Sequence, residues 1–223
     1  MLDRPGAVVV GGGTKINARP TPEPVALVDL QALDLGGVER LDGGRLRIGG
    51  TVTLQQLVGS DDVPVAVRDA ARREQPGTLR AQATVGGCVA TGDAHSELLG
   101  VLLVHEAVVH LVGRAGAEEI RLEAVLAGLP VPAGRIITAV TIDTRGVTAV
   151  ARTARTPADR PIVAAAARAV DGWRRLALTG VAATPILVDS AGGLDPPGDF
   201  RGSSQYRRAL AAVLLARAVE AVR

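Results

Sequence analysis

The sequence carries its strongest fold signal in one stretch, LRAQATVGGCVATGDAHSELL (residues 79–99). A short run of small and β-branched residues leads into a pair of glycines, and an apolar segment follows. This order predicts a glycine-centred turn that runs into an apolar helix. Another stretch of the same kind, AVVVGGGTKIN (residues 7–17), lies near the start of the chain. The chain therefore passes twice from an apolar run into consecutive glycines.

The two motifs share a chemical capability. We call residues 11–15 the first glycine segment and residues 84–88 the second glycine segment. Because glycine has no Cβ, its backbone N–H groups can approach phosphate oxygens, and threonine adds a hydroxyl donor. Two such segments, about seventy residues apart, can face each other across the two phosphates of a dinucleotide. Taken alone, each is more simply a tight turn in a chain with 27 glycines, and neither has Rossmann or P-loop spacing.

Composition excludes several classes of protein. Hydrophobic residues make up 47% of the 223 residues, enough for a real core, while Phe, Trp and Tyr occur once each. A net charge of +2 without a basic stripe argues against nucleic-acid binding. The start of the chain lacks the pattern of a signal peptide, and no apolar run is long enough to span a bilayer. We therefore expect a cytoplasmic protein without membrane insertion.

Metal and redox chemistry has little support in the side chains. The single cysteine, Cys88, excludes an intramolecular disulfide and any site built on several cysteines. It is expected to be a buried packing residue rather than a redox group. The histidines His95, His105 and His110 are scattered, with no cysteine or carboxylate at ligand spacing. We assign neither a catalytic residue nor a metal site to this chain.

Local patterns predict an α+β chain. Alternating or β-branched runs predict strands at residues 7–10, 25–28, 38–41, 45–48, 107–112, 135–142, 148–152, 162–170, 173–178 and 186–188. Helical spacing predicts a short helix capped by Thr53 and another over residues 63–74, and Asp-Gly-Gly at 42–44 predicts a hairpin turn. The clearest helix is the tail, capped by Ser203 or Ser204. Its buried face is predicted to hold Leu210, Val213, Leu214 and Ala218, and its solvated face Arg207 and Arg208.

Six segments, in order along the chain, resemble one known family. They resemble the FAD-binding subunits and domains of molybdenum hydroxylases, the xanthine dehydrogenase and carbon monoxide dehydrogenase family. The match covers nearly the whole chain, so it is more specific than either glycine segment alone. The segments are VVGGGTKI (9–16), LRIGGTVTLQQL (46–57), LRAQATVGGCVATGDAHSELL (79–99), VPAGRIITAVTI (131–142), WRRLALTGVAATPILV (173–188) and GSSQYRRALAAVLLARAV (202–219).

This resemblance implies a fold, a cofactor and a set of site residues. The implied fold is α+β: a two-lobed flavin-binding domain of the molybdopterin dehydrogenase type over residues 1–143, then a small antiparallel-sheet-plus-helix domain over residues 144–223. The implied cofactor is FAD, its pyrophosphate held by both glycine segments. Glu97 falls at the cofactor's polar chain, Ile136 or Ile137 near the flavin, and Arg152 is a basic residue of the C-terminal domain. The implied cofactor-binding residues are Gly11, Gly12, Gly13, Thr14, Lys15, Thr84, Gly86, Gly87, Cys88, Glu97, Ile136, Ile137 and Arg152.

The function that the resemblance implies is electron transfer. A flavin subunit of this kind takes electrons from an iron–sulfur subunit and passes them to an external acceptor. Hydroxylation takes place in a molybdenum-cofactor subunit, so iron–sulfur clusters and molybdenum cofactor are expected only in partners, in a heterotrimer or its dimer. The alternative is a flavin-free structural subunit of the same fold. It is favoured by the early position of the first glycine segment, and by Lys15 and Cys88, which stand where the family commonly has Asp and Asn.

Overall fold

The strands form three sheets in the computed structural model, which describes residues 7–18 and 26–223. Strands β1 (Val8–Val10) and β2 (Leu27–Asp29) form a parallel pair. A five-stranded antiparallel sheet has the spatial order β3 (Val38–Leu41), β4 (Arg45–Gly49), β7 (Ile136–Asp143), β5 (Val108–Gly113) and β6 (Gly116–Arg121). A four-stranded antiparallel sheet has the order β11 (Ile186–Val188), β10 (Trp173–Thr179), β9 (Val163–Val170) and β8 (Val147–Thr153).

Helices bury the inner faces of the two larger sheets. They are α1 (Leu54–Gly59), α2 (Val65–Glu74), α3 (Gly77–Arg80), α4 (Val85–Thr91), α5 (Glu97–Val104), α6 (Leu122–Ala127) and α7 (Ser204–Glu220). All eight residues of α5 are buried, because this helix packs against both α2 and strands β9 and β10. Helix α7 covers β8 and β9 and closes a second apolar core. None of the described helices is long and apolar enough to cross a bilayer.

The α+β class and most predicted elements are confirmed, and local capping explains why. The Thr53 hydroxyl accepts a hydrogen bond from the Gln56 N–H (3.2 Å), and the Gln56 side chain accepts one from the Thr53 N–H (2.8 Å). This reciprocal capping box starts α1 at the predicted place. Ser203 rather than Ser204 caps α7 by accepting from the Tyr206 N–H. The division of the chain at residues 143 and 144 stays a prediction.

Two strand predictions need correction. The strand predicted at residues 25–28 is found at Leu27–Asp29, and Val25 lies outside the described residues. Strand β6 was not predicted, because its sequence, GAEEIR, carries adjacent charges rather than alternating apolar residues. It is an edge strand that pairs only with β5, and Glu118 and Glu119 are exposed on it. An edge strand tolerates such charges because only one of its sides pairs with a neighbour.

The buried face of α7 also differs from the prediction. Its buried residues are Arg207, Ala211, Leu214, Leu215 and Ala218. Val213 is 49% exposed, because at 100° per residue it lies outside that arc. Arg207 is only 1% exposed, so its predicted place on a solvated face was wrong. Its guanidinium donates to the carbonyls of Ile162 (3.1 Å) and Gly180 (2.8 Å), and its Nη2 lies 2.6 Å from the Asp199 carboxylate, which neutralises the buried charge.

A buried histidine joins the two larger sheets and gives a test of this junction. His105 is 1% exposed; its Nδ1 lies 2.6 Å from the Asp143 carbonyl and its Nε2 lies 3.1 Å from the Thr148 hydroxyl. Burial lowers the pKa of His105 from 6.5 to about 4, because a charged ring at this buried position would lose its hydration. The folded state therefore holds the neutral ring.

Acid is expected to weaken the fold through His105. The stabilisation from the neutral ring is complete above pH 6.5 and is lost as the pH falls through about 4. The expected loss is about 3 kcal/mol of unfolding free energy over that interval. Urea unfolding at a series of pH values measures it. His105→Asn should lack this part of the slope, and an unchanged slope in that variant would contradict the assignment.

Candidate functional site

The two glycine segments meet in the folded chain. A Cβ at Gly12 would lie 1.6 Å from the backbone oxygen of Gln82, and one at Gly11 would lie 2.7 Å from the Thr84 hydroxyl. No side chain fits at position 12, so glycine is required for this close approach. The two segments thus lie side by side, with the backbone of the first packed against the Gln82 backbone and the Thr84 side chain.

The second glycine segment is the start of a helix rather than a tight turn. Thr84 caps α4, and its hydroxyl accepts from the Gly87 N–H (3.1 Å). The Gly86 N–H donates to the Gly50 carbonyl (2.9 Å), and the Cys88 N–H donates to the Thr84 carbonyl (2.9 Å). These N–H groups are engaged within the chain, which corrects the expectation that both segments present bare donors. Gly86 instead lets α4 approach the backbone at Gly50, where a Cβ would lie 2.8 Å from the carbonyl oxygen.

The first glycine segment keeps its donors available. Among residues 7–18 and 26–223, no acceptor is hydrogen-bonded to the backbone N–H of any residue from 11 to 15. The segment is closed by a hydrogen bond from the Asn17 N–H to the Gly13 carbonyl (3.0 Å). A short loop with consecutive free N–H groups suits phosphate oxygens. This segment alone therefore supplies the backbone donors that the sequence suggested for both.

Two adjoining spaces surround the contact between the segments. The main cavity, of about 1190 Å³, extends from β1 and α4 to the turn between β5 and β6 and to the loop that precedes β7. The recess, of about 170 Å³, lies between the first glycine segment, the end of α2 and the residues after α4. Eleven of the thirteen predicted cofactor-binding residues line one or both: Gly11, Gly12, Gly13, Thr14, Lys15, Thr84, Gly86, Gly87, Cys88, Ile136 and Ile137.

The other two predicted residues pair with each other. Glu97 is 3% exposed, and its carboxylate lies 2.6 Å from the Arg152 guanidinium and 3.1 Å from that of Arg73. Neither Glu97 nor Arg152 is part of the described lining of the main cavity or the recess. The structure thus gives the pair a place in an ion-pair network between α2, α5 and β8.

The carboxylates that line the recess are Asp93 and Glu74, which sequence reasoning did not select. Asp93 follows α4 directly, so its place after the second glycine segment was the available signal. Burial acts to raise the pKa of Asp93, but Arg160, the His95 N–H and Lys15 together outweigh burial, so the pKa is lowered overall. Burial raises the pKa of Glu74, against the opposing effect of Arg160. The recess therefore places an ionised carboxylate beside Lys15, whose Nζ lies 3.5 Å from the Asp93 Oδ2.

Cys88 and the histidines contribute no redox or metal centre to the described residues. Burial raises the pKa of the Cys88 thiol, with Glu74 as a further cause, so this side chain is a neutral thiol in the wall of the recess. No group of three or more His, Cys, Asp or Glu side chains in the described part of the chain is arranged to hold a metal ion. His110 is hydrogen-bonded within the five-stranded sheet, where its Nε2 lies 2.7 Å from the Thr141 hydroxyl.

The arrangement fits FAD on its own geometry. Within the described residues, the N–H groups of the first glycine segment have no acceptor, so they and the Lys15 ammonium can bind a pyrophosphate. The main cavity, about 1190 Å³, exceeds the roughly 300–1,000 Å³ typical of ligand pockets. Its walls include the apolar side chains of Val9, Leu111, Val131 and Ile137, which suit a flat aromatic ring.

Comparison with known proteins decides the family. The model of the FAD binding domain in molybdopterin dehydrogenase matches residues 1–143. The chain belongs to this family. FAD is thus its cofactor, and the predicted family, fold type and cofactor are confirmed.

Relatives of this FAD-binding family match nearly the whole chain. The uncharacterized protein YgfM of Escherichia coli K12 is 33% identical, over 94% of this chain and 85% of its own. The carbon monoxide dehydrogenase medium chain of Afipia carboxidovorans is 28% identical, over 88% of this chain and 81% of its own. The fold is shared with the solved quinoline 2-oxidoreductase of Pseudomonas putida 86, with a TM-score of 0.88 at 22% identity, over 99% of this chain and 90% of that chain.

Proposed function

We propose that this chain is the flavin subunit of a molybdenum hydroxylase complex in the cytoplasm. In this role it accepts electrons from iron–sulfur clusters of one partner subunit and delivers them through FAD to an external acceptor. A further partner carries the molybdenum cofactor and performs the hydroxylation, in a heterotrimer or its dimer. The observation that carries the proposal is the paired space beside the first glycine segment, in a chain related to a carbon monoxide dehydrogenase medium chain.

Different residues of this chain would bind the pyrophosphate and the ring system of FAD. The N–H groups of residues 11–15 and the Lys15 ammonium would hold the pyrophosphate, while Thr84 and Gly87 form the opposite wall. The apolar side chains of Leu111 and Ile137, 3% and 6% exposed, would lie against the ring system and keep water from one of its faces. Excluding water in this way changes the local dielectric and hence the cofactor's potential.

The chemistry asked of the protein itself is modest. When bound, FAD supplies reversible acceptance of one or two electrons. The protein then has to hold the cofactor, orient it toward its partners and limit the access of water. No general acid or base is required of this chain for hydroxylation at a separate subunit, and we assign none.

The visible absorption spectrum of the purified full chain tests the proposal. We expect one FAD per chain after incubation with FAD and removal of the excess, with absorption bands at about 375 and about 450 nm that arise from the flavin ring itself. Acid release followed by chromatography identifies the flavin. Chain purified under mild conditions from its own cells should also carry iron and molybdenum in co-purifying subunits.

Two results would contradict the proposal. A chain that stays colourless with FAD, both alone and in its assembled complex, would favour a flavin-free structural subunit. A flavin-containing chain whose native complex holds neither iron nor molybdenum would leave FAD binding in place but remove the proposed electron donor and hydroxylase.

A further inference from the structure

Four charged side chains form a continuous series that ends at the first glycine segment. We call Lys15, Asp93, Arg160 and Glu74 the recess ion chain. The Asp93 Oδ2 lies 3.5 Å from the Lys15 Nζ and 2.5 Å from the Arg160 Nη1. The Arg160 Nη2 donates to the Glu74 backbone carbonyl (3.0 Å) and lies 3.2 Å from its Oε1. The recess ion chain therefore links the loop between β8 and β9, which carries Arg160, to the first glycine segment, which would hold the pyrophosphate.

The recess ion chain is fixed at one end and open at the other. The Glu74 side chain is 4% exposed, and its Oε2 accepts from the Ser96 hydroxyl (2.9 Å) and the Leu98 N–H (3.4 Å). The Arg160 and Asp93 side chains are 26% and 27% exposed, and that of Lys15 is 48% exposed. Packing and hydrogen bonds thus fix Glu74 at the buried end, while Lys15 at the exposed end lines the recess.

The two cations share one oxygen of Asp93 unequally. Arg160 approaches it at hydrogen-bond distance, whereas Lys15 stays 1 Å further away, beyond the usual length of a charge-assisted hydrogen bond. Asp93 is therefore chiefly the partner of Arg160. The Lys15 ammonium stays available for an anion, beside N–H groups of its own segment that have no acceptor in the part of the chain that the structure describes.

We propose that Arg160, from the C-terminal part of the chain, is a positioning residue for the phosphate site: by holding Asp93, it leaves Lys15 to bind the pyrophosphate of FAD. This inference rests on the proposed function and adds to it a residue that lies outside the lining of both the main cavity and the recess. Without Arg160, the carboxylate of Asp93 has Lys15 as its nearest cation. Asp93 then draws Lys15 into an ion pair, so the ammonium is no longer available to the phosphates.

The experiment measures FAD affinity of the full chain by fluorescence titration in a set of variants. Lys15→Met and Arg160→Gln are each expected to weaken FAD binding about tenfold, as the loss of one charge-assisted contact predicts. Because Arg160 acts through Asp93, Arg160→Gln should have less than about a twofold effect in the Asp93→Asn background. Arg155→Gln is the matched control, since Arg155 lies in the same connection and is 68% exposed; it should leave the affinity unchanged.

Riboflavin, which lacks phosphates, separates positioning from a general structural role. Arg160→Gln should leave the affinity for riboflavin unchanged while it weakens the affinity for FAD. A parallel loss for both flavins, or an undiminished effect of Arg160→Gln in the Asp93→Asn background, would overturn the inference. Wild-type chain that binds FAD with the same affinity as Arg160→Gln would overturn the inference alone. Wild-type chain that binds no FAD, alone or in its complex, would overturn the proposed function as well.

Discussion

Replacing Gly12 with alanine is expected to weaken FAD binding at least about a hundredfold. The new Cβ would lie 1.6 Å from the Gln82 carbonyl oxygen, and Cβ atoms in proteins essentially never come within 3.0 Å of such an atom. The first glycine segment must therefore move away from the Gln82 backbone by about 1.4 Å. A displacement of this size breaks hydrogen bonds to the pyrophosphate, and the loss of two contacts of about 1.4 kcal/mol each costs about two orders of magnitude in affinity. FAD titration of the purified variant measures the loss.

A second glycine gives the matched control for this substitution. Gly59 ends α1, and a Cβ there would meet no atom within 4 Å. Gly59→Ala should therefore keep wild-type affinity and gain slightly in helix stability. Circular dichroism should show that Gly12→Ala keeps its helices, because residue 12 lies outside both apolar cores. A Gly12→Ala chain that binds FAD as wild type does would exclude residues 11–15 as the pyrophosphate loop.

Helix starts and most strands were predictable because their causes are local. Thr53 and Ser203 each accept a hydrogen bond from an N–H three residues on, so the pattern that predicts the cap contains both partners. Strand β3 begins and ends at the predicted residues because β-branched and turn residues bound it. Strand β6 escaped prediction because pairing with β5, rather than its own composition, makes it a strand.

Buried arginines were not predictable because their partners are distant in sequence. The Arg207 guanidinium donates to the carbonyls of Ile162 and Gly180, 45 and 27 residues away, besides pairing with Asp199 in the loop before α7. No periodic pattern in a helix reports such partners, so a charge in α7 was placed on its solvated face. The same limit applies to Arg168, which the sequence did not single out and which is fully buried.

The candidate site was predictable in its backbone and less so in its charges. Consecutive glycines are visible in sequence, and all residues of the two glycine segments except the buried Val85 line the main cavity or the recess. Whether the Gly86 N–H is available depends on a residue distant in sequence. It donates to the carbonyl of Gly50, 36 residues earlier. The carboxylate expected at Glu97 is instead held by two arginines, and Asp93 occupies the recess.

Replacing Arg168 with leucine is expected to lower the unfolding free energy by about 3 to 5 kcal/mol. This side chain, on β9, is 0% exposed and joins the two larger sheets. Its Nε donates to the Arg145 carbonyl (2.8 Å), its Nη1 donates to the Val104 carbonyl (3.2 Å), and its Nη2 lies 3.0 Å from the Asp143 carboxylate. Leucine would leave the Val104 carbonyl buried without its donor and remove one cation from Asp143.

The state of Asp143 explains why the loss is large. Burial acts to raise the pKa of this carboxyl, but hydrogen bonds from Arg145 and Arg168 outweigh burial and hold the pKa well below its usual range. Asp143 is therefore ionised at neutral pH and needs both cations. Urea unfolding of Arg168→Leu measures the change, with Arg174→Leu, at an exposed position of the neighbouring strand β10, as the matched control. Equal, small changes in the two variants would mean that the buried guanidinium does not hold the two sheets together.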